Sequence, residues 1–273
     1  MNIGLIIIGD EILSGKRQDK HLAKVIELLG ARGLSLAWAK YLGDDRDQLT
    51  RELRSAFSSG DLVFSCGGIG ATPDDHTRQA AAAALDRPLA LHPEAAEFIW
   101  QRVQQMATEQ GLPADRDHPD TQRRMEMGVF PQGASIIPNP YNKIPGFSVG
   151  SVYFVPGFPV MAHPMIEWVL DQRYAELHRH VGTREKSLIV QGAMEASLTP
   201  LMEQVEARFP GIKVFSLPSV DHPQWGRHIE LGVKPSGDGQ GQGAGSDPLE
   251  SAYQALREGV VQFGAVISTE MVR

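Results

Sequence analysis

Residues 61–84 read DLVFSCGGIGATPDDHTRQAAAAA, and this stretch decides the fold. The apolar run 61–65 is typical of a buried strand, a glycine-rich turn follows it, and the alanine-rich end favours a helix. Glycines let backbone amides approach a ligand closely, and a helix N-terminus favours anions. The turn also carries Asp74 and Asp75. Two carboxylates would repel a phosphate, so a phosphorylated ligand here calls for a divalent cation between acid and phosphate.

The same alternation of strand and helix precedes this stretch. Residues 3–8 form a continuous apolar run, as a buried parallel strand does. Apolar residues then recur at helical spacing from Leu22 to Leu29, a second strand is predicted over 34–42, and Asp44 and Asp45 open another helix. This order predicts a parallel sheet with helices on both faces.

Each of the first three predicted strands is followed by an acidic turn. The turns are Asp10-Glu11, Asp44-Asp45 and Asp74-Asp75. Ligands of open parallel sheets lie outside the carboxyl ends of the strands, so the convergence of these turns predicts a site there. A purely structural alternative remains for each turn, because such residues also occur as solvated turn residues or helix N-caps.

The remainder of the chain divides into two parts. Helices are predicted over 93–109, 118–127 and 161–177, and strands over 134–137 and 149–155. Beyond about residue 182 the order β-α-β-β-α-β predicts a small α+β domain of split βαβ, KH-like type, with a flexible loop over 236–246. The predicted domains are therefore residues 1–180 and 181–273.

Composition narrows the classes of function. The net charge of −7 and the pI of about 5.7 argue against a dedicated nucleic-acid binder. The single cysteine, Cys66, excludes an intramolecular disulfide framework and is expected in the core. No apolar run approaches the ~20 residues of a membrane span, and the N-terminus lacks the basic region of a signal peptide. We therefore expect a cytoplasmic protein with no membrane partner.

Three segments carry a family resemblance. Residues 67–77 closely resemble the GGLGPTxDDxT signature of the CinA-like (competence/damage-inducible) proteins, which contain a domain related to the MoaB/MogA molybdopterin-binding proteins. Residues 9–15, GDEILSG, and residues 156–159, PGFP, are similar to two further signatures of that family and lie in the same order. The three together are far more specific than any one glycine loop.

The resemblance implies both a fold and a function. The expected fold is α/β, a three-layer, mostly parallel sheet of MoaB/MogA type with a second, smaller α+β domain. The expected function is metal-dependent hydrolysis of a nucleotide pyrophosphate, with ADP-ribose the leading substrate and a homodimer the expected assembly. Two alternatives stay open: a molybdopterin-binding or adenylyl-transferring protein, and a non-catalytic nucleotide-binding module. The C-terminal amidohydrolase domain of full-length CinA proteins, and its activity, are not expected here.

The resemblance also implies site residues. Asp75 and Asp44 match acidic positions of the MoaB/MogA pattern, and with Asp10 they are the predicted catalytic residues and ligands of a divalent metal ion. The predicted substrate- and phosphate-binding residues are Ser14, Gly67, Gly68, Gly70, Thr72, Asp74, Asn139, Gly146, Pro156 and Gly157. Among these, the glycines of the 67–70 turn are expected to present their amides to the diphosphate.

Two segments depart from the family pattern. Residues 142–144, Asn-Lys-Ile, stand where the family usually has Gly-Thr-Ala, and Met161 stands where a glutamate is expected. Both departures touch the predicted pocket, which should therefore be less polar at that edge. Met125 and Met127 are predicted to serve packing alone.

Overall fold

The computed structural model describes residues 1–178, 185–236 and 247–272. The chain forms two compact units, Met1–Arg179 and His180–Arg273.

The first unit contains a six-stranded sheet in the order β2-β1-β3-β8-β7-β6. Strands β1, β2, β3 and β8 are parallel, whereas β6 and β7 pair antiparallel at the far edge. The strands of this unit are β1 (Ile3–Ile8), β2 (Trp38–Leu42), β3 (Leu62–Cys66), β4 (Leu89–Leu91), β5 (Val129–Pro131), β6 (Ser135–Ile137), β7 (Gly146–Val149) and β8 (Val152–Val155). The mostly parallel sheet that was predicted is confirmed.

Helices cover both faces of this sheet. They are α1 (Asp10–Leu13), α2 (His21–Gly30), α3 (Arg46–Ser59), α4 (Thr77–Leu85), α5 (Pro93–Glu109), α6 (Pro119–Glu126) and α7 (Pro159–Arg173). In β1, Ile6 and Ile8 pack with the cluster that includes α3 and α4, while Leu5 and Ile7 pack with the one that includes α2 and α7. Because successive side chains of a strand point to opposite faces, a strand covered on both faces has to be apolar throughout.

Several predicted boundaries are wrong, for local reasons. The second strand begins at Trp38, not at residue 34, because the Leu34 amide still donates to Leu29 O at the end of α2. The strand predicted over 149–155 is a hairpin of β7 and β8, turned at Gly150 with φ of 58°. An unbroken apolar run conceals such a turn. Helix α7 ends at Arg173, and a 3-10 turn, Ala175–Leu177, follows it.

The second unit is a four-stranded antiparallel sheet with two helices. Its elements are β9 (Lys186–Gln191), α8 (Glu195–Arg208), β10 (Ile212–His222), β11 (Gly226–Pro235), α9 (Pro248–Gln262) and β12 (Val266–Val272). The strand order is β10-β11-β9-β12, and the helices pack on the sheet through one apolar cluster. The predicted order of elements is confirmed. Most of the loop predicted over 236–246 lies outside the described residues.

In the described part of the chain, no helix is both long enough and apolar enough to cross a membrane.

Candidate functional site

The carboxyl ends of β1, β3 and β8 border a cavity of about 410 Å³, which we call the first cavity. Most of the predicted site residues line it: Asp44, Gly67, Gly68, Gly70, Thr72, Asp74, Asp75, Asn139, Pro156 and Gly157. Its position outside the ends of parallel strands is the expected place for a ligand in an open α/β sheet.

The glycine loop between β3 and α4 needs glycine at two positions. Gly67 and Gly68 have φ of 112° and 68°, which L side chains rarely adopt. A Cβ added at Gly67 would overlap the Ile8 carbonyl, and one at Gly68 would overlap the Thr77 hydroxyl. Thr77 holds the loop, because its hydroxyl donates to Gly67 O and its amide to Gly68 O, both at 3.0 Å.

The free amides of this loop differ from those predicted. The Gly67 amide donates to Val155 O at 3.0 Å, so in this structure it is not available to a diphosphate. The amides of Gly68, Ile69, Gly70 and Ala71 make no hydrogen bond within the described part of the chain. These four are the amides that an anion in the first cavity could use.

Buried Arg78 supports the loop from behind. Its guanidinium donates to the carbonyl of Gly70 and to that of Glu126, and burial lowers its pKa. The position was not singled out from the sequence, since an arginine in the first turn of an alanine-rich helix is normally solvated. Arg78 therefore positions the loop without lining the cavity.

Asp10 and Asp44 are joined by reciprocal hydrogen bonds. The Asp10 amide donates to Asp44 Oδ2 at 2.9 Å, and the Asp44 amide donates to Asp10 Oδ1 at 3.3 Å. The N-cap of α3 is Asp45, whose Oδ1 accepts from the Gln48 amide at 2.6 Å, so Asp44 is not the cap. Asp10 itself does not line the first cavity.

The environment of Asp44 disfavours its charge. Partial burial raises the pKa of Asp44, and the negative charges of Asp10, Glu11 and Asp74 raise it further, against the lowering effect of the Asp10 amide. Acids from the other two acidic turns thus act on the Asp44 carboxyl group, as the predicted convergence requires.

Asp75 is held by its own loop. Its Oδ2 accepts from the Thr72 amide at 2.8 Å and from the Thr72 hydroxyl. Hydrogen bonding within the same loop also lowers the pKa of Asp74. Helix α4 begins at Thr77 with His76 as N-cap and without a side-chain cap, so neither acid caps this helix.

The predicted metal ligands are not assembled as a three-acid group. Within the described ranges, no set of three or more His, Cys, Asp or Glu side chains is arranged to hold a metal ion. The reason is local: Asp10 bonds the Asp44 amide from outside the cavity, and Asp75 bonds Thr72. A cation bound here would need ligands from its substrate as well.

Both departures from the family pattern contribute residues to the lining of the first cavity. Asn142 Nδ2 donates to Met161 Sδ at 3.3 Å, so the two departing segments are in contact. The Asn139 side chain is satisfied within the same loop, since Nδ2 donates to Asn142 Oδ1 and Ile144 O and Oδ1 accepts from the Tyr141 amide. Asn139 therefore shapes the wall instead of offering polar atoms to a ligand.

Two predicted residues lie elsewhere. Ser14 is exposed at the end of α1 and does not line the first cavity. Gly146 is buried in β7, where a Cβ would overlap the Phe154 carbonyl of the neighbouring strand. Neither residue lines the first cavity.

Two lining residues, Arg17 and Met127, were missed or misread from the sequence, whereas Ile144 belongs to a segment predicted to touch the pocket. Among the residues that line the first cavity, Arg17 is the only basic one, beside the four acids Glu11, Asp44, Asp74 and Asp75. Met127, predicted to serve packing alone, lines it as well, and so does Ile144. No spacing signal marks these residues, because they come from turns and loops whose paths depend on tertiary contacts. Cys66 is buried as predicted, and burial raises the pKa of its thiol.

Comparison with known proteins identifies relatives of the first unit. The family model described as "Probable molybdopterin binding domain" matches residues 4–176. A CinA-like protein of Syntrophotalea carbinolica is 30% identical over 223 residues, which is 77% of this chain and 51% of that protein. A CinA-like protein of Geobacter metallireducens is 29% identical over 94% of this chain and 59% of its own length.

The chain thus spans about half the length of these curated relatives. A solved structure shows the same fold for most of the first unit. It is the protein CinA, of unknown function, from Thermoplasma acidophilum, with 27% identity and a TM-score of 0.52 over 62% of this chain and 96% of that one.

Proposed function

We propose a function for this chain, which belongs to the family of proteins with the probable molybdopterin binding domain. The first cavity would bind a nucleotide diphosphate and hydrolyse its diphosphate linkage. ADP-ribose is the leading substrate, as the resemblance to CinA-like proteins implies. One observation carries the proposal: unpaired loop amides and a cluster of carboxylates border the same cavity. Amides suit the diphosphate, and carboxylates suit the cation that accompanies it.

The charge of the cavity explains why a divalent cation belongs to the proposal. Four acids and one arginine would repel a bare diphosphate. Mg²⁺ is usually held by one or two carboxylates together with substrate phosphates, which agrees with a cavity that has acids but no three-acid group among its described residues. Asp44 and Asp75 are the carboxylates proposed to hold it. When bound, such a cation offsets phosphate charge and lowers the pKa of water.

The chain's own residues would supply binding, orientation and proton transfer. The amides of Gly68 and Gly70 would bind the diphosphate, with Arg17 as the only basic lining side chain. The oxygen of a water would attack one phosphorus, the bond from that phosphorus to the bridging oxygen would break, and Asp44 would take the water's proton. The pKa of Asp44 is raised by its partial burial, which makes its carboxylate a stronger base than an ordinary aspartate.

A second candidate is binding of a molybdopterin-type ligand, as the family description suggests. The wall formed by Asn142, Ile144 and Met161 favours binding without hydrolysis, because it lacks the carboxylate that a glutamate at position 161 would supply. Such a ligand would occupy the same cavity without hydrolysis. A non-catalytic nucleotide-binding module would behave in the same way towards ADP-ribose.

A turnover assay separates these functions. ADP-ribose, FAD and other dinucleotides would be incubated with the protein in the presence of Mg²⁺ or Mn²⁺, with excess chelator as the second condition. We expect hydrolysis that stops in chelator and returns when the cation is restored. Full activity in excess chelator would remove the role of the metal, and binding without turnover would favour the second candidate.

A further inference from the structure

A buried histidine holds one peptide unit of the first cavity from outside. Gly157 and Phe158 line the first cavity, in the loop between β8 and α7. His21, the first residue of α2, does not line it, and its ring Nε2 lies 3.0 Å from the Gly157 carbonyl oxygen. In the described part of the chain this is the only side-chain hydrogen bond to residues 156–158. The Gly157 carbonyl is therefore directed at a residue behind the cavity wall.

The ring of His21 is an uncharged donor. A carbonyl oxygen only accepts hydrogen bonds, so Nε2 carries the ring proton. His21 is 4% exposed, and its Nδ1 is buried with no partner among the described residues. A second proton would have to sit on Nδ1 without an acceptor, and an unsatisfied charged donor is costly to bury. The hydrogen bond to Gly157 therefore comes from one tautomer of a neutral ring.

His163 of α7 packs against His21 as a second neutral ring. The two ring centroids are 5.3 Å apart, and the ring planes form an angle of 86°. Burial lowers the pKa of His163, and positive charge on His21 or Lys24 lowers it further. A hydrogen bond with the Lys20 backbone and the charge of Asp19 act in the opposite direction. Because the pKa of His163 lies below the ordinary value of 6.5, this ring is uncharged at pH 7.

The Gly157 carbonyl and the Phe158 amide belong to one peptide unit. The described chain has no cis peptide bond, and in a trans peptide these two groups point in opposite directions. With the carbonyl held by His21, the Phe158 N–H points away from His21. The peptide also lies against the glycine loop, since a Cβ added at Gly157 would be 3.5 Å from Gly67 Cα. The Phe158 amide makes no hydrogen bond within the described ranges, so it is available to a ligand.

We propose that His21 is a positioning residue of the first cavity, which orients the Phe158 amide towards the anion bound there. This amide would add a donor from the β8–α7 loop to the free amides of residues 68–71. Without His21 the peptide could flip, and its carbonyl oxygen would then face the anion and repel it. The inference rests on the proposed function for its anionic ligand. It goes further by making that binding depend on a residue outside the cavity.

NMR spectroscopy tests the orientation of the peptide without any ligand. Nitrogen chemical shifts distinguish the two histidine tautomers, and we expect the proton of His21 on Nε2 at pH 7. We also expect the Phe158 amide resonance to move in His21→Leu, which has no donor. It should keep its position in His21→Gln, whose amide nitrogen extends about as far as Nε2. A His21 proton on Nδ1, or equal displacement of the resonance in both variants, would overturn the inference.

Calorimetric titration measures the consequence for binding. The probe is the methylene analogue of ADP-ribose, whose diphosphate linkage cannot be hydrolysed, in the presence of Mg²⁺. We expect about fivefold weaker binding by His21→Leu, the scale of one hydrogen bond, and near-wild-type affinity for His21→Gln. The matched control is His92→Leu, which removes another histidine with a buried, unpartnered Nδ1 from outside the cavity lining and should bind normally.

Equal affinities of His21→Leu and His21→Gln would also overturn the inference, as would an equal loss in His92→Leu. If His21→Leu does not fold, the tautomer of the wild-type ring and the affinity of His21→Gln decide. Failure of the proposed function is distinguishable. A wild-type chain that binds no analogue but gives the expected tautomer and amide resonances would refute the proposed ligand and support the orientation of the peptide by His21.

Discussion

Asp44 and Asp75 line the same cavity, but different contacts hold them. Partial burial and neighbouring acids raise the pKa of Asp44, whereas Asp75 accepts two hydrogen bonds from Thr72. Removal of the charge at Asp44 should therefore relieve an unfavourable interaction. Removal of the charge at Asp75 should leave the stability of the fold nearly unchanged. At the residue scale, stability and activity can be separated at both positions.

The difference in stability between Asp44→Asn and the wild type should depend on pH. The pKa of Asp44 is raised on folding, so its contribution to the free energy of unfolding falls as pH rises above the ordinary value of 3.8. Asparagine lacks the charge and can still accept from the Asp10 amide. We expect Asp44→Asn to melt at or above the wild-type temperature at pH 7, with the difference vanishing below pH 3.8. Thermal denaturation followed by circular dichroism at both pH values measures this.

Asp171→Asn is the control with the opposite sign. Arg32 lowers the pKa of Asp171, so that charge stabilises the fold above the ordinary pKa and its loss should lower the melting temperature at pH 7. A lower melting temperature for Asp44→Asn at pH 7 would mean that the Asp44 charge serves the fold.

Asp75→Asn should lose activity without losing stability. Asparagine can still accept from Thr72, and no helix cap is lost, because Asp75 does not cap α4. We expect near-wild-type melting and a loss of at least ~100-fold in the rate of ADP-ribose hydrolysis, the scale of one electrostatic contributor. The control, Asp45→Asn, keeps its capping ability at α3 and should preserve both quantities. A full rate in Asp75→Asn would refute the assignment.

Met161→Glu tests the less polar wall. The Met161 sulfur accepts only a weak hydrogen bond from Asn142, whereas a carboxylate could hold a cation, orient a water or bond a ribose hydroxyl. We expect the turnover of ADP-ribose to rise more than its affinity changes. The turnover rate and the dissociation constant of both proteins would be compared. An unchanged or lower rate in a well-folded Met161→Glu protein would mean that this departure does not weaken catalysis.

At the scale of elements, the glycine loop is held from three sides: by Thr77, by Arg78 and by β8 through the Gly67 amide. This support keeps the amides of residues 68–71 directed away from the regular hydrogen bonds of the sheet. The site therefore depends on the conformation of the loop as much as on its residues.

Gly68→Ala should damage both the fold and the binding of nucleotide. The left-handed conformation alone costs an alanine about 1 kcal/mol or more. Gly60→Ala is the control, because Gly60 has φ of 72° and open space around its Cα. At Gly68 the added carbon also overlaps the Thr77 hydroxyl, which would displace the loop. We expect Gly68→Ala to be the less stable variant and to bind nucleotide more weakly, whereas Gly60→Ala binds normally. Equal affinities would show that the loop amides do not bind the ligand.

At the scale of the whole molecule, the first cavity is built from residues of the first unit alone. The family model also ends within that unit, at residue 176. We expect a chain of residues 1–180 to fold and to bind nucleotide with the affinity of the 273-residue chain. Circular dichroism and calorimetric titration of the two proteins check this. A soluble, folded truncation that binds no nucleotide would show that the second unit completes the site.

The sequence predicted the strand–helix alternation from β1 to α4, the order of elements in the second unit, and the end of the sheet where the first cavity lies, but not α1, β4 or β5. Apolar periodicity located β1 and α5 at their observed bounds, because buried strands and amphipathic helices leave local patterns. The strand–glycine–helix order around Gly67 to Thr77 placed the loop, and three acidic turns placed the site. These features are local in the chain, so they can be read without knowing what packs against them.

The tertiary structure alone shows which polar atoms have no hydrogen-bond partner and which side chains line the cavity. The Gly67 amide donates to Val155, Asp10 bonds the Asp44 amide from outside the first cavity, and Arg17 lines that cavity. Each of these facts joins residues far apart in sequence. The hairpin hidden in residues 146–155 belongs with them. Hydrogen-bond partners and cavity walls depend on distances across the fold to within a fraction of an ångström, and no one-dimensional pattern encodes those distances.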